Sequence, residues 1–361
     1  MPRPLMPEDF VYGFQPAGDP QLSPDGSVLT YTVTRTDAES GKATGDIWRS
    51  SVDGSDARPL THAKQGIRNG GARWSPDGAA IAFTSNRSGK SGIYVIPVAG
   101  GEARELTTHA QAVHDVAWSP DGKLLTYTTT FDPENPDEED RPDGAPPPVR
   151  VTRRLDYKQD NRGYLNDARL QVWLVDVASG DRRMVTRDPV DHNHPQWSPD
   201  GQTLAVKIPN QNGMCSQLGL ISVATGSTTR IGREEGTIGV WSWSPAGDRI
   251  LFSGDTTQTW QTDWFIYDSG KGVVKRLTDD LPVLPDAGFP TIAPPSQPVW
   301  LDDRRALVHA IRAGSSGLYE VDTKNGKTTL VHDWRASHGG LSMDDEHRYV
   351  VQGHAGMESI G

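Results

Sequence analysis

The sequence predicts an all-β chain folded as a seven-bladed β-propeller of four-stranded blades, its last blade incomplete. Three observations predict it. An apolar residue or Trp followed by Ser-Pro-Asp-Gly recurs along the chain. The copies lie about one blade apart. Each copy is followed by the same succession of strand-like and turn-like segments.

The motif occurs at Leu22-Ser23-Pro24-Asp25-Gly26, Trp74-Ser75-Pro76-Asp77-Gly78, Trp118-Ser119-Pro120-Asp121-Gly122 and Trp197-Ser198-Pro199-Asp200-Gly201. A fifth copy reads Trp243-Ser244-Pro245-Ala246-Gly247, a degenerate sixth Trp300-Leu301-Asp302-Asp303, and a weaker seventh Leu341-Ser342-Met343-Asp344-Asp345. Successive Ser or equivalent positions are 52, 44, 79, 46, 57 and 41 residues apart. Five of these spacings suit a single four-stranded blade, and the 79 is a blade plus an insertion. Each residue of the motif has a turn role. Ser accepts a backbone N–H, Pro presets φ near −65°, Asp suits the third position, and Gly tolerates the left-handed region.

The apolar residue before the turn ends an inner strand. A second strand follows, as in Ala80-Ile81-Ala82-Phe83 and Ile250-Leu251-Phe252, and then a third, as in Ile93-Tyr94-Val95-Ile96 and Trp264-Phe265-Ile266-Tyr267. A turn such as Ser179-Gly180 or Asn325-Gly326 leads to a fourth: Arg58-Pro59-Leu60-Thr61, Arg104-Glu105-Leu106-Thr107, Met184-Val185-Thr186 or Arg276-Leu277-Thr278. Repeated Trp and aromatic positions read as core between blades.

Composition agrees: 38 Gly, 27 Pro and 11 Trp in 361 residues mark many turns and short strands. The net charge of −11 argues against nucleic acid or anionic membrane as partners. Cys215 is the single cysteine, so no internal disulfide forms and no cysteine-rich metal site exists. The start lacks the apolar stretch of a signal peptide, and no run approaches the length that crosses a bilayer. A cytoplasmic location is expected.

Residues 1–19 read as an N-terminal extension and 20–361 as the propeller. In the seventh unit, strands are expected near Gly339-Gly340-Leu341 and at Arg348-Tyr349-Val350-Val351-Gln352, with no third or fourth before Gly361. The open blade is an exposed edge, so the chain is expected to be a piece of a longer polypeptide. The unfinished blade predicts either a second polypeptide completing it or instability of the isolated piece, and a homo-oligomer stays open. The insertion, about 131–168, lies in the third unit. Its first part, Asp132 to Pro148, holds seven acidic residues and six prolines, unsuited to regular sheet, and is expected to be mobile. Its second part mixes Arg and Tyr: Arg153, Arg154, Tyr157, Arg162 and Tyr164. Such a segment can pack locally as a hairpin, or reach over a blade end to hold an anionic or peptide group.

No G-x-S-x-G elbow, P-loop, dinucleotide fingerprint, H-E-x-x-H or EF-hand occurs. His192-Asn193-His194 precedes an inner strand, so both imidazoles are placed to face the channel, but no third and fourth metal ligand can be named. No metal and no cofactor is expected. Cys215 has no His or Asp at a nucleophile-activating offset.

Three features carry a resemblance. They are the opening Met6-Pro7-Glu8-Asp9-Phe10 leading to Asp19-Pro20-Gln21-Leu22, the seven units beginning near the N-terminus, and the insertion Arg153-Arg154-Leu155-Asp156-Tyr157-Lys158 with Arg162-Gly163-Tyr164. On these the chain resembles the N-terminal propeller of the prolyl oligopeptidase family of serine peptidases, in its acylaminoacyl-peptidase-like branch. The resemblance implies a non-catalytic propeller that gates access to a following α/β-hydrolase domain, absent here, and helps bind short peptides for it. The triad of such an enzyme has no counterpart in this chain. Arg153, Arg154, Tyr157 and Arg162 are the candidate substrate-binding residues. Omega-peptidase, aminopeptidase, oligopeptidase and carboxypeptidase specificities stay open. The alternatives are a stand-alone protein-binding propeller of the TolB-like type, or a lactonase- or lyase-like propeller enzyme, which would need channel-facing metal ligands or acid–base pairs.

Overall fold

The computed structural model describes residues 6–354 except 140, 141, 143, 147, 148, 150, 152–156, 160–162, 165, 166, 211, 212, 258–261, 280–295, 313, 314, 335, 336 and 347. Six four-stranded antiparallel sheets follow one another along the chain, each paired in simple sequence order. Blade 1 comprises Ala17–Leu22, Val28–Thr36, Ala43–Ser51 and Arg58–Pro59. Blade 2 comprises Asn69–Trp74, Ala80–Ser85, Ser91–Pro97 and Arg104–His109. Blade 3 comprises Val113–Trp118, Leu124–Phe131, Arg169–Asp176 and Arg182–Met184. Blade 4 comprises Asn193–Trp197, Thr203–Asn210, Cys215–Ser222 and Thr228–Ile231. Blade 5 comprises Thr237–Trp243, Arg249–Asp255, Asp263–Asp268 and Val273–Arg276, and blade 6 Val299–Trp300, Arg305–Arg312, Ser315–Asp322 and Thr328–Trp334.

The all-β propeller of four-stranded blades is therefore present, but with six such blades rather than seven. The seventh unit, among the described residues, is a two-stranded sheet of Ser337–Met343 and Tyr349–His354. A sheet needs chain for every strand, and only two strands of it fall within the described residues.

The apolar core lies between the blades. Strand side chains alternate faces, so Ile81 and Phe83 pack with Ile47 of blade 1, while Ala82 joins Leu125 and Tyr127 of blade 3. Leu204 and Val206 meet Val172 and Leu174 of blade 3, whereas Ala205 meets Ile250 and Phe252 of blade 5. Leu251 and Trp264 close on Val308 and Tyr319 of blade 6. Both faces of the second strands of blades 2, 4 and 5 are thus buried, which explains the continuous apolar runs there.

The repeated turn ties neighbours together. Ser75 donates to Asp77 at 2.6 Å and accepts the Ala80 amide at 2.9 Å, and Ser23, Ser119 and Ser198 repeat the pattern. Where Ala246 replaces the aspartate, Ser244 donates instead to Asp248 at 2.9 Å. The Trp before each turn reaches the preceding blade: Trp74 to the Gln21 carbonyl at 3.2 Å, Trp118 to Arg73 at 2.9 Å, Trp197 to Ala117 at 3.2 Å and Trp243 to Gln196 at 3.3 Å. Trp300 makes the same reach to the Ser242 hydroxyl at 3.0 Å. The first and seventh units carry leucines there, and polar contacts join them: Ser342 accepts the Leu22 amide at 3.0 Å, the Asp345 amide donates to the Pro24 carbonyl at 3.1 Å, and Arg348 donates to the Asp25 carbonyl at 2.6 Å.

The fourth strands of blades 1, 3 and 5 end about two residues earlier than their sequence suggests, whereas that of blade 2 runs on to His109. In blade 1 the Leu60 and Thr61 amides both turn onto the Ile47 carbonyl, and the Thr61 hydroxyl accepts the Ile47 amide. Thr186 and Thr278 do the same for Val172 and Trp264. A threonine hydroxyl replaces the backbone partner at the strand end.

Candidate functional site: the channel wall and the blade 3 insertion

The first strands of blades 1 to 4 pack one against the next, and that of the seventh unit packs against those of blades 6 and 1, so the first strands form the inner wall. Every described link from first to second strand is on one face of the ring. The second strands end and the third strands begin on the other, and there the 132–168 segment leaves blade 3. The two mouths therefore differ.

The turn-side mouth is a cavity of about 430 Å³ lined by Trp197, Trp243, Trp300, Pro199, Pro245 and Met343, with others. The indole N–H groups there are already spent on neighbouring blades, so the collar presents mainly ring faces.

Further along the wall the first strands carry bulges. Asp19, Asp115 and His194 sit at these bulges with φ of 53°, 55° and 53°. The bulge re-aims each side chain along the wall. Asp19 pairs with Arg73 of blade 2 at 2.8 Å, and Asp115 with His194 Nδ1 of blade 4 at 2.8 Å. Burial alone would raise the Asp115 carboxyl, but His194, its amide and the Thr128 hydroxyl hold it below the ordinary carboxylate value. Gln196 donates to the Trp241 carbonyl and the Trp241 amide to Gln297, each at 2.9 Å.

His192 and His194 do not act together. His194 is exposed on the wall, whereas His192 is fully buried, its Nε2 4.0 Å from Asp188. Burial lowers the His192 imidazole to about 4. Among the described residues no three His, Cys, Asp or Glu come together as a metal site. Cys215 is buried.

Of the candidate residues, Tyr157 is described and exposed, with its ring 6.3 Å from that of Tyr164. Tyr164 lies on a short hairpin, Lys158–Gln159 paired with Gly163–Tyr164, and Lys158 sits over its ring at 5.4 Å. Arg153, Arg154 and Arg162 lie outside the described residues.

The acidic first part of the insertion, expected to be mobile, is built of turns over its described start. The Asn135 amide returns to the Asp132 carbonyl, and Asn135 exchanges hydrogen bonds with Glu139. Glu138 then docks onto the junction of blades 2 and 3. Its carboxylate meets His109 Nδ1 at 2.6 Å and accepts the Ala110 amide at 2.7 Å. His109 is fully buried, with Tyr127 3.0 Å and Arg182 3.3 Å from Nε2. This cluster was missed from sequence because its members are spread over 74 positions and share no motif.

No helix among the described residues is long and apolar enough to cross a membrane, which says nothing of strands in a barrel.

Comparisons with known proteins follow the same lines. Residues 42–142 match the family model of the Tricorn protease N-terminal beta propeller domain. An uncharacterized peptidase, YuxL, of Bacillus subtilis is 34% identical over 203 residues, covering 55% of this chain and 30% of that protein. Dipeptidyl-peptidase 5 of Porphyromonas gingivalis is 23% identical over 369 residues, covering 95% of this chain and 51% of that protein. An acylaminoacyl peptidase solved with Z-Gly-Gly-Phe-chloromethyl ketone superposes with a TM-score of 0.69 at 17% identity, over 96% of this chain and 50% of that one. The chain thus spans about half the length of the longer-matching relatives, and less of YuxL. It is a β-propeller related to those of peptidases, as its resemblance to the N-terminal propeller of the prolyl oligopeptidase family implied.

Proposed function

We propose that the chain is the non-catalytic propeller domain of a serine peptidase acting on short peptides in the cytoplasm. It gates access to a hydrolase domain carried by the rest of the protein, which also completes the seventh blade. The observation that carries this reading is the asymmetry of the ring. The face that bears the insertion also receives the N-terminal segment, because Ala17–Leu22 runs away from it toward the first turn. Exposed Met6, Val11, Tyr12 and Phe14 precede that strand, and exposed Val149, Val151, Tyr157 and Tyr164 belong to the insertion. Apolar surface gathered on one face is what a docked domain and an apolar peptide both need. The half-length match to peptidases supports the same reading.

In this reading Arg153, Arg154, Tyr157 and Arg162 hold the peptide. A guanidinium pairs bidentately with a carboxylate. Titration of the 361-residue chain with a fluorescent tripeptide tests this. Binding of the free acid is expected to exceed that of its C-terminal amide by about tenfold, and Arg153→Ala with Arg154→Ala should abolish the difference. Equal binding of acid and amide to both proteins would reject the anchor.

A further inference from the structure

We propose that Glu138 is a positioning residue, an acid-released latch fixing where the 131–168 insertion leaves blade 3. This rests on the reading of that insertion as the peptide-holding element, and it adds how the element is held.

The geometry is specific. Glu138 is a non-glycine residue at φ 54°, a left-handed conformation that L side chains rarely adopt. That conformation places both carboxylate oxygens on blade 2, one on His109 and one on the Ala110 amide. The carboxylate covers an imidazole with no exposure of its own.

The proton on that imidazole can be placed. Arg182 can only donate, and it points at Nε2 while also holding the Thr108 carbonyl at 2.8 Å. The ionised Glu138 can only accept, so Nδ1 carries the hydrogen it receives and Nε2 of the neutral ring is the acceptor. Trp173 closes the pocket with its ring 5.3 Å from the imidazole, and Arg182 lies 5.8 Å from that indole. The titratable or charged groups facing His109 are thus Glu138, Arg182 and Tyr127. The Tyr127 phenol is raised by burial and stays neutral.

The carboxyl, not the imidazole, sets the release. Burial lowers the His109 imidazole, opposed by Glu138 and aided by Arg182. The Glu138 contact itself favours the protonated ring, so His109 titration does not release the segment while Glu138 is ionised. Burial would raise the Glu138 carboxyl, but His109, the Ala110 amide and Arg182 hold it below its free value of 4.5. That contribution is complete above 4.5 and is lost as pH falls through the lowered value. A protonated imidazole cannot remain buried against Arg182 once the carboxylate is neutral. Acid releases the segment, and neutral pH docks it.

Hydrogen–deuterium exchange of the 361-residue chain without peptide, corrected for intrinsic rates, tests the latch. Peptides covering 131–139 should lose protection by about tenfold between neutral pH and about pH 3, where the Glu138 carboxyl is protonated, while the strand Ala80–Ser85 keeps its own. Glu138→Gln keeps the size but not the charge. It should exchange at neutral pH as the wild type does in acid, with little pH dependence left. Equal wild-type protection at both pH values, or a Glu138→Gln profile that follows the wild type, would overturn the latch. Because no peptide is present, the latch can fail while the carboxylate preference stands, and the reverse.

Discussion

Replacing Gly326 by alanine is expected to destabilise the chain by about 3 kcal/mol or more, combining a left-handed backbone penalty with overpacking. Gly326 has φ of 76° in the turn between the third and fourth strands of blade 6. An added methyl would run into the backbone carbonyl of Leu277, at the outer edge of blade 5. The Leu277 amide is held by the Trp264 carbonyl, so its backbone cannot swing aside as a side-chain tip can. The same approach recurs at Gly226, where the methyl would be 2.6 Å from the Val185 carbonyl, and more loosely at Gly180, 3.2 Å from Leu106. Gly41 is the control: its φ is 65° and no atom lies within 4 Å of the added methyl. Gly41→Ala should cost about 1 kcal/mol, the backbone term alone. Urea unfolding of both variants measures the gap, and equal midpoints would refute close approach at Gly326.

Trp243→Ala is expected to cost about 3–5 kcal/mol. The indole packs against the cluster of Ile250 and Phe252 between blades 4 and 5, and its N–H holds the Gln196 carbonyl of blade 4. Trp243→Phe keeps most of the apolar body and removes only the donor, so about 1 kcal/mol is expected. If the two variants unfold at the same urea concentration, the hydrogen bond rather than the packing joins the blades.

The blades were legible because their causes are local. Ser-Pro-Asp-Gly fixes its own turn through Ser75, Asp77 and Gly78, and alternation in Ile81-Ala82-Phe83 fixes which neighbour each side chain meets. The first and last units were harder. Their junction pairs Leu22 with Ser342 and Asp25 with Arg348, polar contacts between residues over 300 positions apart. The ends of the fourth strands were misplaced because Thr61, Thr186 and Thr278 substitute a hydroxyl for a backbone group, which β propensity does not record.

The channel wall was only half legible. His194 stood out beside His192, but nothing local revealed that a bulge would turn Asp115 toward it from the next blade. Glu138 was hidden in a run of acidic residues and prolines whose composition reads as irregular chain. Only the fold brings His109 and Arg182 to it.

We propose that this propeller serves a serine hydrolase domain in the same polypeptide. The most direct test is to treat the natural gene product with a fluorophosphonate probe for activated serines and weigh the labelled species. Labelling of a product roughly twice the 39.3 kDa of this chain, at a serine beyond Gly361, is the predicted result. An unlabelled natural product of 39.3 kDa would contradict it.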